Sequence, residues 1–278
     1  TPAQIETVSV LLSAVRDEHG ALVQPGMSVS DIQASTFQTP PRPADLAAKD
    51  PFPGSDGAFS AGGGYWPLAD AYLRVLIHKN DPAYFTRSMV SFGGSDYHAI
   101  VPAAEVAFAR EHGKMGIGHF PENLDRFLAQ NRKFLIWHNL SDHTLTPYMS
   151  INYYKQLARR HGGYARLQNN VRLFGLPGTL HCGLGGNGPN TFDALTALEN
   201  WVEHGKAPDA LMAHTVPPYG LKDFTKPSTR TMPLCKFPEM ARYKGRGDVN
   251  DGANWECPAG DRRMLTIGES GKRAGVIE

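Results

Sequence analysis

The sequence predicts an α/β fold built on a parallel sheet, and three observations carry that prediction. Phe134-Leu-Ile-Trp137 is a continuous apolar run, which marks a strand buried on both faces, as in a parallel sheet, and Val171-Arg-Leu-Phe-Gly-Leu176 reads as the next strand. Ile151, Tyr154, Leu157 and Ala158 repeat at helical spacing between the strands, and Phe192, Leu195, Leu198 and Val202 do so after them. The order strand, helix, strand, helix implies right-handed parallel crossovers. Each strand also ends in a polar turn, the first holding Asp142 and the second His181.

Bulk properties set the frame. A chain of 278 residues, 41% hydrophobic and 20% charged, can bury one large core or two modest ones. Its 28 basic and 27 acidic residues leave a net charge of +1, which supplies no long-range pull on nucleic acid or anionic membrane. No apolar run approaches a membrane span, so neither partner is expected. Thr1-Pro-Ala-Gln4 lacks the basic head and apolar core of a leader, so any targeting segment is expected to lie outside this chain. Gly 29 and Pro 21 predict long irregular connections and a lid or insertion.

Residues 2 to 18 read as a helix with Thr1-Pro2 as its cap and first turn and Gly20 as its stop. Ala21 to Gly26 reads as a short strand or turn. From Met27 to Gly64 there is little periodicity and much Pro and Gly, the pattern of a segment that covers or lines something. Tyr65 to His78 reads as an amphipathic helix, Met89 to Gly94 is ambiguous, and Ile100 to His112 reads as helical. A short helix through Phe127 and Leu128 leads into the first strand. Pro147 sits in the turn after the first strand or at the first position of the helix between the strands, and Gly162-Gly163 ends that helix; Asn190 or Thr191 can cap the next helix, with Gly205 just beyond its end. The last 70 or so residues read as an irregular tail.

In open α/β sheets functional side chains collect beyond the carboxyl ends of the strands. Asp142 and His181 both sit there. An aspartate so placed can accept the Nδ1 hydrogen of a histidine, leaving its other nitrogen as a general base toward a hydroxyl. The competing reading is that each only bonds nearby backbone. His138 and His143 flank the same turn: His138 ends the apolar strand and reads as a packed histidine with a satisfied hydrogen bond, and His143 as a candidate site-lining residue. A metal cluster of these residues matches no recognised zinc spacing, and no His-Glu-x-x-His occurs. The order acid, then histidine, is that of the α/β-hydrolases, whose serine precedes both in Gly-x-Ser-x-Gly. That elbow is missing: Gly54-Ser-Asp-Gly57 has no strand before it, and Gly94-Ser-Asp96 is no better. Of the three cysteines, Cys235 and Cys257 share the tail, where a local disulfide is the simplest source of order, and Cys182 is left over. Its bland reading is a buried free thiol.

Phe134 to Asp142, Tyr153-Tyr154, Arg172-Leu-Phe-Gly-Leu-Pro-Gly-Thr-Leu-His-Cys-Gly183 and Gly188-Pro-Asn-Thr-Phe-Asp193 through Trp201-Val202 together resemble the tannase/feruloyl esterase family. The resemblance continues through Arg230 to Pro238, Ala241 to Asp251 and Trp255-Glu-Cys257. It is dense from about 120 to 257 and thin between 30 and 120. It implies the C-terminal portion of an α/β-hydrolase fold, residues 1–120 being mostly lid or insertion and 121–278 the end of the catalytic domain. The remaining sheet strands are then expected on a partner chain or a missing N-terminal segment. Asp142 becomes the triad acid and His181 the base. Cys182 pairs with a cysteine beside the nucleophilic serine, in a Gly-Cys-Ser-x-Gly elbow upstream of Thr1, and the family's structural calcium loop also lies upstream. Fungal members mature into two disulfide-linked chains, so an N-terminal chain of the same precursor is the implied partner.

The activity implied is hydrolysis of phenolic acid esters, feruloyl, hydroxycinnamoyl or galloyl, by a secreted protein, periplasmic if bacterial, that needs no catalytic cofactor. Tyr65 and Trp66 are candidate substrate contacts, together with His143; Phe37, Phe52 and Phe59 add further aromatic material. One departure stands out: Asn139 replaces the glycine usual after the strand histidine. Asn139-Leu-Ser141 also forms a glycosylation sequon, expected to stay unmodified beside the acid. The alternative from another class is an extracellular, non-enzymatic binding module on a degenerate hydrolase scaffold.

Overall fold

The structure, a computed structural model, describes residues 1–28, 75, 78–79, 81, 91–93, 98–101, 103–112, 124–142, 144–183, 186–216, 228–262, 264 and 274–277. It divides into two compact units, Thr1–Met27 with Ile32–Gly118, and Ser28–Asp31 with His119–Glu278.

In the first unit, helix α1 (Pro2–Leu12) starts where the sequence places it, and the Gln4 N–H donates to Thr1 Oγ1 at 3.3 Å. It ends at Leu12, well short of the predicted residue 18. Strands β1 (Val15–Asp17) and β2 (Leu22–Gln24) follow as an antiparallel hairpin. The turn chemistry overrides the helical spacing: Asp17 Oδ1 accepts from the N–H groups of His19 and Ala21 at 3.0 and 2.8 Å, and Gly20 takes φ +78°. Strands β3 (Ser91–Gly93) and β4 (His98–Val101) complete a sheet of order β2-β1-β4-β3, with β1 and β4 parallel. Helix α2 spans Ala103–His112, so Ile100 belongs to β4 and not to the helix predicted from it. Phe37, Phe52, Phe59, Tyr65, Trp66 and His143 lie outside the described residues.

The second unit opens with α3 (Asp125–Ala129) and β5 (Phe134–Asn139). Helix α4 (Pro147–Arg160) follows, capped by the Thr146 side chain and with Pro147 at its first position. A short α5 (Tyr164–Leu167) leads into β6 (Val171–Leu176). The two strands run parallel in register from Phe134↔Val171 to Asn139↔Leu176. Alternation along β6 divides two cores. Val171 and Leu173 pack with Tyr148, Ile151, Tyr154, Leu157 and Ala158 of α4, whereas Phe174 and Leu176 pack with Leu135 and Trp201. The predicted helix face is therefore present, but burial on both faces belongs to β6; β5, for which it was expected, is mostly half-buried and leaves Trp137 50% exposed.

Beyond β6 the second helix starts later than the sequence suggests. Thr191–Phe192 is a short strand, β7, and α6 spans Ala194–His204 with Asp193, not Asn190 or Thr191, as its cap. Asn190 is already engaged: its side chain accepts the Val216 N–H at 3.0 Å and donates to Val216 O at 2.9 Å. The tail is also more ordered than predicted. Strands β8 (Ala210–Thr215) and β9 (Arg230–Cys235) form the antiparallel sheet β7-β8-β9, and β10 (Arg242–Tyr243) pairs with β11 (Trp255–Glu256). Past β9, the Phe237 N–H donates to Leu173 O at 2.7 Å, so this segment covers the edge of β6 away from β5. Cys235 and Cys257 form a disulfide, as expected from the tail's composition.

Candidate active site

The site grows from the two turns beyond β5 and β6, which parallel pairing places side by side. In the first turn Asp142 is buried, and its carboxylate is used on both oxygens. Oδ1 accepts the backbone N–H groups of Thr144 and Leu145, each at 2.8 Å. Oδ2 lies 2.9 Å from His181 Nδ1. A carboxylate only accepts, so Nδ1 carries the hydrogen and Nε2 is left as the basic nitrogen. Among the described residues nothing hydrogen-bonds that Nε2, and the His181 side chain is 32% exposed. The geometry is that of an oriented, accessible general base. Burial alone raises the Asp142 pKa, but the nearby His138 imidazole and the hydrogen bonds from Leu145 N–H, His181 and Thr144 N–H outweigh it and hold the carboxyl well below its usual range.

The second turn is tied to the first. Leu180 O accepts from Gly183 N–H at 3.0 Å and from the Asn139 side-chain amide at 2.6 Å, while Asn139 O accepts the Asp142 N–H at 3.0 Å. Asn139 stays in the strand and its φ is not positive. Its sequon nitrogen is already occupied by Leu180. Thr179, fully buried, donates to Pro189 O at 2.7 Å, and a Cβ on Gly188 would stand 1.8 Å from Pro177 O. That close approach makes glycine obligatory there. Cys182, next to His181, is a free, exposed thiol held at φ +54°, not the buried thiol of the bland reading.

His138 occupies the place foreseen for a satisfied packed histidine. Nε2 lies 2.9 Å from Leu145 O and Nδ1 lies 2.7 Å from Ser150 Oγ. The sequence missed that His138 Nε2 also stands 3.7 Å from Asp142 Oδ2. The i, i+4 spacing of His138 and Asp142 was the available signal, but it says nothing outside a helix without the fold of the turn. Among the described residues no group of three or more His, Cys, Asp or Glu side chains could hold a metal ion.

A profile of the family "Tannase and feruloyl esterase" matches residues 69–258. The chain belongs to that family. Among tannase/feruloyl esterase relatives, a mono(2-hydroxyethyl) terephthalate hydrolase from Piscinibacter sakaiensis is 39% identical over 137 residues, 49% of this chain and 21% of the relative. A probable feruloyl esterase from Arthroderma benhamiae is 38% identical over 148 residues, 53% of this chain and 26% of the relative. The crystal structure of an esterase from Aspergillus oryzae superposes with TM-score 0.67 at 20% identity, over 93% of this chain and 46% of that one. This family member thus spans less than half the length of each of these three relatives. The fold likeness agrees with the mixed α/β architecture.

Proposed function

We propose that this chain supplies the acid and base, Asp142 and His181, of a serine-type carboxylic ester hydrolase whose nucleophile lies on polypeptide outside it. The carrying observation is the His181 Nδ1–Asp142 Oδ2 contact of 2.9 Å, with the opposite ring nitrogen free and accessible. Nε2 takes the proton of the serine hydroxyl as its oxygen attacks the ester carbonyl, and Asp142 stabilises the imidazolium that forms. The imidazolium then protonates the leaving alcohol. In the second half-reaction Nε2 activates water, which releases the acid and regenerates serine. Donors for the oxyanion belong to the elbow side of the site.

Three features support a partner polypeptide. Among the described residues no strand pairs with the edge of β5 away from β6, although a parallel strand is normally covered on both sides. Trp137 on that strand is 50% exposed. Cys182 is free and exposed one residue from the base, where a disulfide to the elbow would hold serine and histidine in register. An N-terminal chain of the same precursor, carrying the elbow and the calcium loop, fits this surface, and residues 1–120 then contribute lid. Disulfide use at Cys235 and Cys257 accords with a secreted protein.

The substrates proposed are esters of aromatic acids, feruloyl, hydroxycinnamoyl or galloyl, in line with the family description and the names of the relatives. The purified native protein should yield, without reduction, a peptide linked to Cys182 that carries a serine elbow. It should also turn over at least one of methyl ferulate, methyl gallate and a terephthalate monoester. A lone 30.4 kDa chain with a free Cys182 thiol and no turnover would establish the binding-module alternative instead.

A further inference from the structure

The Asp142 carboxylate faces two imidazoles. Oδ2 is bound by His181 at 2.9 Å and approached by His138 Nε2 at 3.7 Å. The tautomer of His138 follows from its partners. Leu145 O can only accept, so Nε2 carries the hydrogen; Nδ1 is then an acceptor, and the Ser150 hydroxyl donates to it at 2.7 Å. Leu145 closes the arrangement, because its N–H binds Asp142 Oδ1 while its C=O binds His138. The ring is anchored on α4 through Ser150 and only 16% exposed.

We infer that His138 is a positioning residue for the candidate acid: with Ser150 and Leu145 it holds the Asp142 carboxylate in the orientation that presents Oδ2 to His181. The Nε2–H, directed at the turn that carries Asp142, steadies the carboxylate. The titratable groups facing the His138 ring among the described residues are Asp142 and, across it, His181. A histidine that merely filled space would need neither the Ser150 tie nor a nitrogen directed at the turn.

The inference rests on the hydrolase reading, and two substitutions separate a positioning role from bulk. Glutamine places its amide nitrogen near the position of Nε2, asparagine near that of Nδ1. In the native protein, His138→Asn should lower kcat by about ten- to a hundredfold, the scale of a misplacement near 1 Å, with KM within about twofold. His138→Gln should recover most of that loss, and Ser150→Ala should lower kcat several-fold without moving KM. The His181 Nδ1 proton, identified in the low-field NMR spectrum by its absence in His181→Ala, should broaden or shift in His138→Asn and persist in His138→Gln. If His138→Asn does not fold, Ser150→Ala alone decides by the same two measurements. Wild-type kcat and an unmoved proton signal in His138→Asn, or in Ser150→Ala where that is the deciding variant, overturn the inference. So does equal impairment of the Asn and Gln variants. Turnover that survives His181→Ala overturns the hydrolase reading itself, a distinct outcome.

Discussion

His181 Nδ1 lies 2.9 Å from Asp142 Oδ2, although 39 residues separate the two in the chain. Parallel pairing of β5 and β6 brings their carboxyl ends together, and the bonds from Thr144 and Leu145 to the other carboxylate oxygen aim Oδ2 at the ring. Asp142→Asn keeps the shape of the side chain but reverses the hydrogen-bond preference at one position, so the wrong imidazole tautomer is favoured. Steady-state kinetics on the most active ester should show kcat reduced on the order of 10⁴-fold. A reduction below about tenfold would remove Asp142 from the proposed triad.

The same carboxylate ties stability to acid. Its folded pKa is depressed from the ordinary 3.8, so as pH falls the unfolded chain takes up the proton first. The contribution is present above that ordinary value and is lost as pH falls below it toward the lower, folded-state pKa. Thermal melts of wild type and Asp142→Asn should therefore converge as pH is lowered below about 4 and separate above it. Parallel curves across that window would show that Asp142 does not carry the coupling.

A second stability prediction concerns the C-terminal segment. The buried Asn152 side chain donates to Gly275 O at 2.7 Å and accepts the Ile277 N–H at 2.9 Å, while the buried Lys155 ammonium donates to Ile277 O. Ala274 and Val276 are buried in the same core as α4. Asn152→Ala leaves a buried carbonyl and an N–H without their partners, a cost of about 2 kcal/mol in urea unfolding. Deleting residues 274–278 should destabilise at least as much, because it also strips apolar cover from α4. Unchanged unfolding midpoints would contradict this.

The Cys235–Cys257 bridge closes a loop with a sequence separation of 22 residues. Cross-linking a loop of that length restricts the unfolded chain by about 3 kcal/mol in the chain-entropy account. The double variant Cys235→Ala/Cys257→Ala should lose stability on that scale in denaturant titration. The His181–Asp142 proton signal should remain at temperatures where the variant is still folded. Loss of that signal without unfolding would show that the tail positions the site as well as stabilising the fold.

What the sequence by itself determined was local. Apolar runs of strand length, a helix face repeating through Ile151, Tyr154, Leu157 and Ala158, and polar residues just past two strands are written in neighbouring positions, and the structure keeps each of them. Cys235 and Cys257 were legible for the same reason, since they share one short tail. The misreadings came where distant pairing competes with local preference. Asn190 is bound to Val216 instead of capping a helix, and the pairing of β8 with β9 draws Pro233 into a sheet that no short window reveals. The helical spacing of residues 13 to 18 yields to the Asp17 turn and to pairing of β1 with β4.

Only the tertiary structure decided which polar side chains meet. Asp142 with His181, His138 with Ser150, and Asn152 with the chain's last residues are each set by distance and direction across separate elements. Hydrogen bonds demand placement within a few tenths of an ångström, and residue type and spacing do not carry that information. The sequence thus singled out Asp142 and His181, and folding made them a pair.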